Sequence, residues 1–175
     1  METIEYTTVD KSEWGDGPWQ NEPDKVQYMD EDTGLPCIIK RGPVGAWCGY
    51  VGVAEGHPAF ESHYYSYDGE ECVLKHIEVH GGLTFANKCQ EGAEEDAICH
   101  IPGEGEPDHV WWLGFDCAHA WDISPVMLAY NRKKFAETGD SLWDDSRWDR
   151  NEVYRDINYV RGEVKSLAKQ LAGMT

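Results

Sequence analysis

The chain has 175 residues, of which 41% are hydrophobic, and it carries a formal net charge of −18. This length is typical of one domain, and the eight Trp and nine Tyr residues indicate a folded core, because a disordered chain is poor in such side chains. The negative charge repels a phosphate backbone, so we do not expect the protein to bind nucleic acid.

The N-terminal segment, residues 1–35, is polar and rich in turn-forming residues, which predicts a loop that packs onto the domain through Trp14 and Trp19. Its acidic start lacks the basic and apolar regions of a signal peptide. No apolar run in the sequence approaches the roughly 20 residues of a membrane helix. These features predict a cytoplasmic protein that does not associate with membranes.

Short apolar segments separated by Gly and Pro predict a series of strands. Five segments fit this description: residues 37–40, 46–53, 72–79, 82–85 and 110–115. The last of them is the best candidate for a central strand. Residues 90–108 contain seven acids and no Lys or Arg, which predicts a solvent-exposed loop.

Two helices are predicted after these strands. Ser124 followed by Pro125 is a helix-start signal, and we expect this helix to reach about Ala136 and to end near Gly139. A clearer amphipathic pattern covers residues 151–171, where apolar residues recur at steps of four and three. Its apolar positions are Val153, Ile157, Val160, Val164, Leu167 and Leu171. We expect this face to cover the sheet, with a dimer interface as the alternative.

Strands come before helices along the chain, and this order favours an α+β fold over an alternating α/β fold. We therefore predict one domain over residues 1–175, with a mostly antiparallel sheet of short strands packed by C-terminal helices. No internal repeat or low-complexity linker divides the sequence.

Polar side chains follow the predicted central strand at a regular spacing. Asp116, His119 and Asp122 lie three residues apart, so a helical turn would place all three on one face. Two carboxylates and an imidazole in this arrangement suit a divalent cation, or an acid/base pair in which an Asp orients the His. The alternative is structural: the acids cap local backbone and the histidine is an interior side chain.

A second polar group follows the predicted strand at residues 72–79. His80 is the expected fourth member of the site, because Gly81 and Gly82 allow the backbone to approach a ligand closely. Glu78 would lie on the same strand face as His80. We expect His80, Asp116, His119 and Asp122 to be the catalytic residues and the candidate metal ligands.

Six cysteines would permit three disulfides in a secreted protein, but the predicted cytoplasmic location favours buried free thiols. Cys89 with Cys99 and His100 offers zinc-ligand chemistry, although the spacing matches no standard zinc knuckle. Cys117 beside His119 is a possible nucleophile, and the sequence leaves both alternatives open.

Tryptophans flank the predicted site. Trp112 and Trp121, together with the two glycines after His80, are the candidate ligand-binding residues, because an indole ring can stack on a flat ligand such as a nucleobase. A tryptophan is also a common core residue, and this structural role is the alternative.

Several blocks of the sequence resemble a family of uncharacterised small proteins encoded by bacteriophages, from about residue 17 onward. The blocks are residues 17–19, 33–37, 48–53, 80–85 and 114–119, and they include His-Gly-Gly-Leu-Thr-Phe and Gly-Phe-Asp-Cys-Ala-His. The resemblance implies no activity. It implies expression in an infected bacterial cell, which agrees with a cytoplasmic location.

Two functional hypotheses follow. The first is a hydrolase, with or without a divalent metal, that acts on a small polar or nucleotide-like molecule. The second is a non-enzymatic phage accessory protein that binds a host protein or sequesters a small signalling ligand. Polar residues at strand ends favour the first, while the acidic composition and abundant Trp favour the second.

Overall fold

Six strands build one antiparallel sheet in the computed structural model. The strands are β1 Ile4–Tyr6, β2 Lys25–Met29, β3 Pro36–Arg41, β4 Trp47–Ala54, β5 Phe85–Lys88 and β6 Val110–Asp116. Their order across the sheet is β1-β2-β3-β4-β6-β5, and all neighbours are antiparallel. The structure describes residues 1–65, 72–90, 92–143 and 152–174.

Within the described residues, two α-helices follow the sheet in the chain, α1 Pro125–Thr138 and α2 Ile157–Ala172. α2 packs on β3 and β4, and Val160, Val164, Leu167 and Leu171 are completely buried against the sheet. The predicted apolar face and the predicted α+β fold are therefore confirmed. None of the helices in the described residues combines the length and apolar composition that a membrane span requires.

Successive side chains of a strand point to opposite sides of the sheet. In this sheet the side chains on both sides include buried apolar residues. Ile39, Val51 and Phe115 belong to the face covered by α2. Ile38 and Trp112 belong to the other face, where they pack with Tyr50, Val110 and Ile98. This two-sided core explains why β3, β4 and β6 read as nearly continuous apolar runs.

A glycine in the middle of β4 allows α2 to approach the sheet closely. A β-carbon on Gly49 would lie 2.5 Å from Cγ2 of Val164 and 2.7 Å from the Phe115 ring. Since these neighbours are buried, a larger residue would push the helix away from the strand.

The first turn of α2 is fixed from two directions. The Asp156 carboxylate accepts a hydrogen bond from the backbone N–H of Tyr159 at 2.8 Å, which is an N-cap. Glu22 Oε1 accepts one from the backbone N–H of Ile157 at 3.0 Å. The prediction of helix from residue 151 is wrong for Val153, which lies in a short bridge to Asp122 instead; residue 151 itself lies outside the described residues.

The first predicted helix is present and ends where Gly139 adopts a left-handed conformation, with φ of 61°. It reaches Thr138, two residues beyond the expected end. α1 contacts the helical turns at Ser12–Trp14 and Ser141–Trp143. It buries Pro125 and leaves Met127, Tyr130 and Phe135 exposed.

Three sequence predictions of local structure are wrong. The N-terminal segment contains β1 and all of β2, whose Lys25 and Gln27 are buried polar residues that hide the strand pattern. Residues 72–79 form no strand: residues 73–76 are a turn, and residues 77–79 have no regular secondary structure. The strand expected at residues 82–85 begins only at Phe85.

The acidic loop is also more ordered than expected. Ala97, Ile98 and His100 are buried, and a disulfide joins Cys89 to Cys99. The expectation of free thiols, made for most of the cysteines, is therefore wrong for this pair. The free cysteines are Cys37, Cys48, Cys72 and Cys117.

Candidate functional site

Three distant segments meet at one end of the sheet, beside the first turns of α2. They are the turn at residues 79–82, the turn at residues 117–122 that follows β6, and residues 153–159. Two hydrogen bonds join the last two segments: Val153 N–H donates to Trp121 O and Ile123 N–H donates to Val153 O, both at 3.1 Å. This short parallel bridge fixes the position of Asp122, which lies within it.

The Asp122 carboxylate is the centre of the site, and its side chain is completely buried. Oδ2 accepts hydrogen bonds from His80 Nε2 at 2.7 Å and from the backbone N–H of His119 at 3.1 Å. Oδ1 accepts one from Arg155 Nε at 3.0 Å. A buried carboxylate needs such partners, because an unpaired buried charge is costly.

These partners determine the ionisation of Asp122. Burial by itself would raise the pKa of the carboxyl group. Hydrogen bonds from His80, Arg155 and the backbone of His119 outweigh burial, so the pKa of Asp122 lies below its usual value. The group is therefore an anion at neutral pH.

His80 is held at both ring nitrogens and at its backbone. Nε2 contacts Asp122, and Nδ1 lies 2.9 Å from the hydroxyl of Tyr159. The backbone N–H of His80 donates to Glu163 Oε2 at 2.7 Å. Since Tyr159 and Glu163 both lie on α2, docking of the helix orients the His80 ring.

His119 completes the group and forms its exposed side. Its Nδ1 lies 3.3 Å from Asp122 Oδ2, and its ring stacks on Trp121 with centroids 5.1 Å apart and planes 6° apart. The ring lies so close to Gly81 that a β-carbon there would be 2.0 Å from Cε1. The space beside Gly81, where a ligand was expected, is thus occupied by the His119 ring.

The three side chains have the composition and spacing of a metal centre. One ligand atom from each of His80, His119 and Asp122 lies within 4.8 Å of the other two. Ligand atoms around tetrahedral zinc lie about 3.3 Å apart, given metal–ligand bonds of about 2.0–2.1 Å. The distance from Asp122 Oδ2 to His119 Nδ1, 3.3 Å, matches that value, while the distance to His80 Nε2, 2.7 Å, is that of a hydrogen bond.

Sequence reasoning identified His80, His119 and Asp122 but missed their supporting residues. Arg155 and Tyr159 reach the site from the start of α2, and the Arg155 guanidinium lies over the Tyr159 ring at 4.7 Å. Arg155 precedes the N-cap residue Asp156 and Tyr159 lies in the first turn of the helix, and no local motif connects either residue to a site.

The structure places other predicted residues elsewhere. Asp116 Oδ1 accepts a hydrogen bond from the backbone N–H of Ala118 at 3.0 Å, so it caps the turn as in the structural alternative. Glu78 lies in a segment without regular secondary structure, where its backbone pairs with the Gln170 side chain. Within the described residues, neither carboxylate belongs to the metal-ligand group.

Of the predicted ligand-binding residues, Trp112 lies away from the site, and Gly82 makes no close contact like that of Gly81. Trp112 is completely buried on the opposite face of the sheet, edge-on to His100 at 5.4 Å. A β-carbon on Gly82 would meet no heavy atom within 4 Å. Trp121, in contrast, is half exposed and lies directly against His119.

The cysteine alternatives find no support in the geometry. The disulfide removes Cys89 and Cys99 as thiolate ligands, and His100 Nε2 lies 3.1 Å from the carbonyl of Pro107. Cys117 is buried, and burial raises the pKa of its thiol far above the usual value. A nucleophilic cysteine needs a lowered pKa, so Cys117 is a core residue.

A cavity of about 200 Å³ lies near the disulfide, lined by Lys25, Gln27, Glu94 and His100 among others. Its polar groups are already bonded within the protein. Lys25 Nζ donates to the carbonyls of Glu94 and Cys99, and the Gln27 amide pairs with the backbone of Ile101. The cavity is thus a weaker candidate than the histidine–aspartate group.

Comparisons of the chain with protein-family models, with curated proteins and with solved structures find no match. The resemblance to phage-encoded proteins therefore stays a prediction. Any function has to be inferred from the residues of the site itself.

Proposed function

We propose that the protein is a metal-dependent hydrolase of a small polar substrate, with a divalent ion held by His80, His119 and Asp122. The observation that carries the proposal is the mutual distance of their three ligand atoms, which lie within 4.8 Å of one another. Two imidazoles and one carboxylate are the ligand types that zinc and related divalent ions accept.

Three protein ligands match the pattern of catalytic zinc sites, which leave a fourth position for water or substrate. A metal at such a position lowers the pKa of bound water to about 7 and so supplies a nucleophile at neutral pH. His119 is 21% exposed, while Asp122 is fully buried, so the open position faces the His119 side.

Tyr159 and Arg155, which form hydrogen bonds to two of the proposed ligands, fit a metal centre. A metal-bound His80 Nε2 carries no proton, and the ring proton then resides on Nδ1, where the Tyr159 hydroxyl at 2.9 Å accepts it in a hydrogen bond. Arg155 fixes the other oxygen of Asp122. Metal ligands are commonly oriented by such outer hydrogen bonds.

The test begins with metal content. Wild-type protein, His119→Ala and Asp116→Asn are equilibrated with Zn²⁺ and analysed by inductively coupled plasma mass spectrometry and calorimetry. We expect one zinc per wild-type chain, loss of binding in His119→Ala, and wild-type binding in Asp116→Asn, whose carboxylate caps a turn outside the group. Equal zinc binding by all three proteins would rule out this centre.

Zinc-loaded proteins are then assayed against a panel of small esters and phosphate esters. Hydrolysis by wild type and Asp116→Asn, but not by His119→Ala, supports the hydrolase. Binding of a panel compound without turnover would instead favour the second hypothesis, an accessory protein that sequesters a small ligand.

A further inference from the structure

Arg155 is fixed beside the proposed metal centre by two contacts. Its Nε donates to Asp122 Oδ1 at 3.0 Å, and its guanidinium carbon lies 4.7 Å above the centre of the Tyr159 ring. Because the other oxygen of Asp122 faces the two histidines, the guanidinium and the proposed metal share one carboxylate. The position of the Arg155 guanidinium is therefore tied to that of the proposed metal ligands.

Only one nitrogen of this guanidinium is used within the site. Among the residues that the structure describes, neither Nη of Arg155 has a hydrogen-bond partner, and the side chain is 24% exposed. Arginine presents its nitrogens as a planar fork that matches the oxygens of a phosphate or carboxylate. An oriented and accessible fork next to a metal centre is an anion-binding arrangement.

We propose that Arg155 is the phosphate-binding residue of this site and that its substrates are nucleotide-like phosphate esters. The inference rests on the proposed metal centre. A divalent ion and Arg155 together outweigh the negative charge of Asp122, which leaves a positive centre in an otherwise acidic protein. A phosphate group bound between the ion and the free Nη nitrogens of Arg155 would neutralise that centre.

Trp121 provides a surface for the planar part of such a substrate. One face of its indole lies on His119, and the side chain is 50% exposed. Its backbone carbonyl accepts a hydrogen bond from Val153 at 3.1 Å, so its position is anchored. A base can stack on such an exposed aromatic side chain and thereby gain affinity.

The reaction in this site is hydrolysis of a phosphate monoester. The oxygen of a water molecule forms a bond to phosphorus while the bond from phosphorus to the ester oxygen breaks. The leaving alcohol takes one proton from the water, and the products are the alcohol and inorganic phosphate. No oxidant or further reactant is required.

The experiment measures binding of three probes to zinc-loaded protein by calorimetry: adenosine 5′-monophosphate, ribose 5-phosphate and adenosine. We expect the monophosphate to bind at least tenfold more tightly than adenosine, about 1.4 kcal/mol or more. Arg155→Gln should weaken binding of both phosphates at least tenfold and leave adenosine unchanged. Trp121→Leu should weaken adenosine 5′-monophosphate but not ribose 5-phosphate.

Two further variants separate the phosphate role from effects on the fold. Arg161→Gln removes the same charge from α2 at a residue that pairs with Glu5, and it should bind every probe like wild type. Arg155→Lys retains a cation beside Asp122 but lacks the fork, so it should keep zinc and lose phosphate affinity. The zinc affinity of each variant is measured first.

The outcomes distinguish this inference from the proposed function. If zinc binds but adenosine 5′-monophosphate and adenosine bind alike, or Arg155 substitutions leave phosphate affinity unchanged, the phosphate role is wrong and the metal centre stands. If wild type binds no zinc, the metal proposal fails. Arg155-dependent phosphate binding would then support the subsite alone, and its absence would overturn both.

Discussion

The His119 ring lies against the α-carbon of Gly81, at a distance that no side chain at that position would permit. A β-carbon on Gly81 would be 2.0 Å from His119 Cε1 and 2.1 Å from Nε2. Gly81 also has a φ of 66°, a left-handed conformation that favours glycine. The glycine is thus required for His119 to occupy its place beside Asp122.

This contact predicts different effects for two neighbouring substitutions. Gly81→Ala should displace His119 and abolish zinc binding, whereas Gly82→Ala should retain it, because a β-carbon on Gly82 meets no atom within 4 Å. Both glycines have positive φ, so each substitution should also lower the free energy of unfolding by about 1–2 kcal/mol. Zinc calorimetry and urea unfolding separate the two effects. Equal zinc affinity in the two variants would contradict the contact.

A second prediction concerns the hydroxyl of Tyr159. Tyr159→Phe should weaken zinc binding about 10- to 100-fold, because His80 loses the partner that orients its ring. Tyr154→Phe is the matched control, since the Tyr154 hydroxyl bonds to Glu22 and Arg41 and not to the site. We expect Tyr154→Phe to lower stability without changing zinc affinity. Parallel losses of zinc affinity in both variants would argue against a specific role for Tyr159.

The disulfide gives a third prediction. Alkylation of the denatured, unreduced protein should modify four cysteines, and reduction beforehand should raise the number to six. The double variant Cys89→Ser/Cys99→Ser should lose about 3 kcal/mol of unfolding free energy, the cost expected for opening a loop of roughly ten residues. Cys72→Ser, which replaces a free thiol, serves as the control. Six modified cysteines without reduction would exclude the disulfide.

Lys25 predicts a specific dependence of stability on pH. Burial, and secondarily the nearby Lys40, lower the pKa of Lys25 to about 8 in the folded protein, while an unfolded lysine titrates near about 10.4. At pH values between these two pKa values, the unfolded chain binds more protons than the folded protein. The free energy of unfolding should therefore rise with pH in this range. Below about pH 8 both states are protonated and the burial cost is fully present.

The measurement compares wild type with Lys25→Met by urea unfolding at pH 7 and pH 9.5. The methionine variant lacks the titrating group and reports the contribution of all other residues. Wild type should therefore gain stability relative to the variant at the higher pH. A constant difference between the two proteins would show that Lys25 has an ordinary pKa.

The elements that sequence reasoning identified correctly are those with local patterns. β6 and the apolar face of α2 follow from a continuous apolar run and from helical spacing. β2 was missed because its buried Lys25 and Gln27 are paired to backbone groups of residues 94–101, far along the chain. Periodicity cannot reveal partners at that separation, so a polar buried strand reads as a loop.

The same limit applies to the candidate site. His119 and Asp122 share one turn, and their proximity follows from spacing. Asp116 has the same spacing, but the chain between it and His119 is not helical, and its carboxylate bonds to Ala118 instead. Arg155 could not be placed from sequence, because its contact with Asp122 depends on how α2 docks on the sheet.

Docking of α2 also links the site to the folding of the whole domain. Tyr159 and Glu163 hold His80 although the helix supplies none of the three ligands. If α2 detached, His80 would lose both contacts and the centre would lose affinity. By thermodynamic linkage, zinc bound at the proposed centre would then favour the docked helix. Amide hydrogen exchange throughout α2 should then be slower with zinc than without it, although the helix supplies none of the proposed ligands.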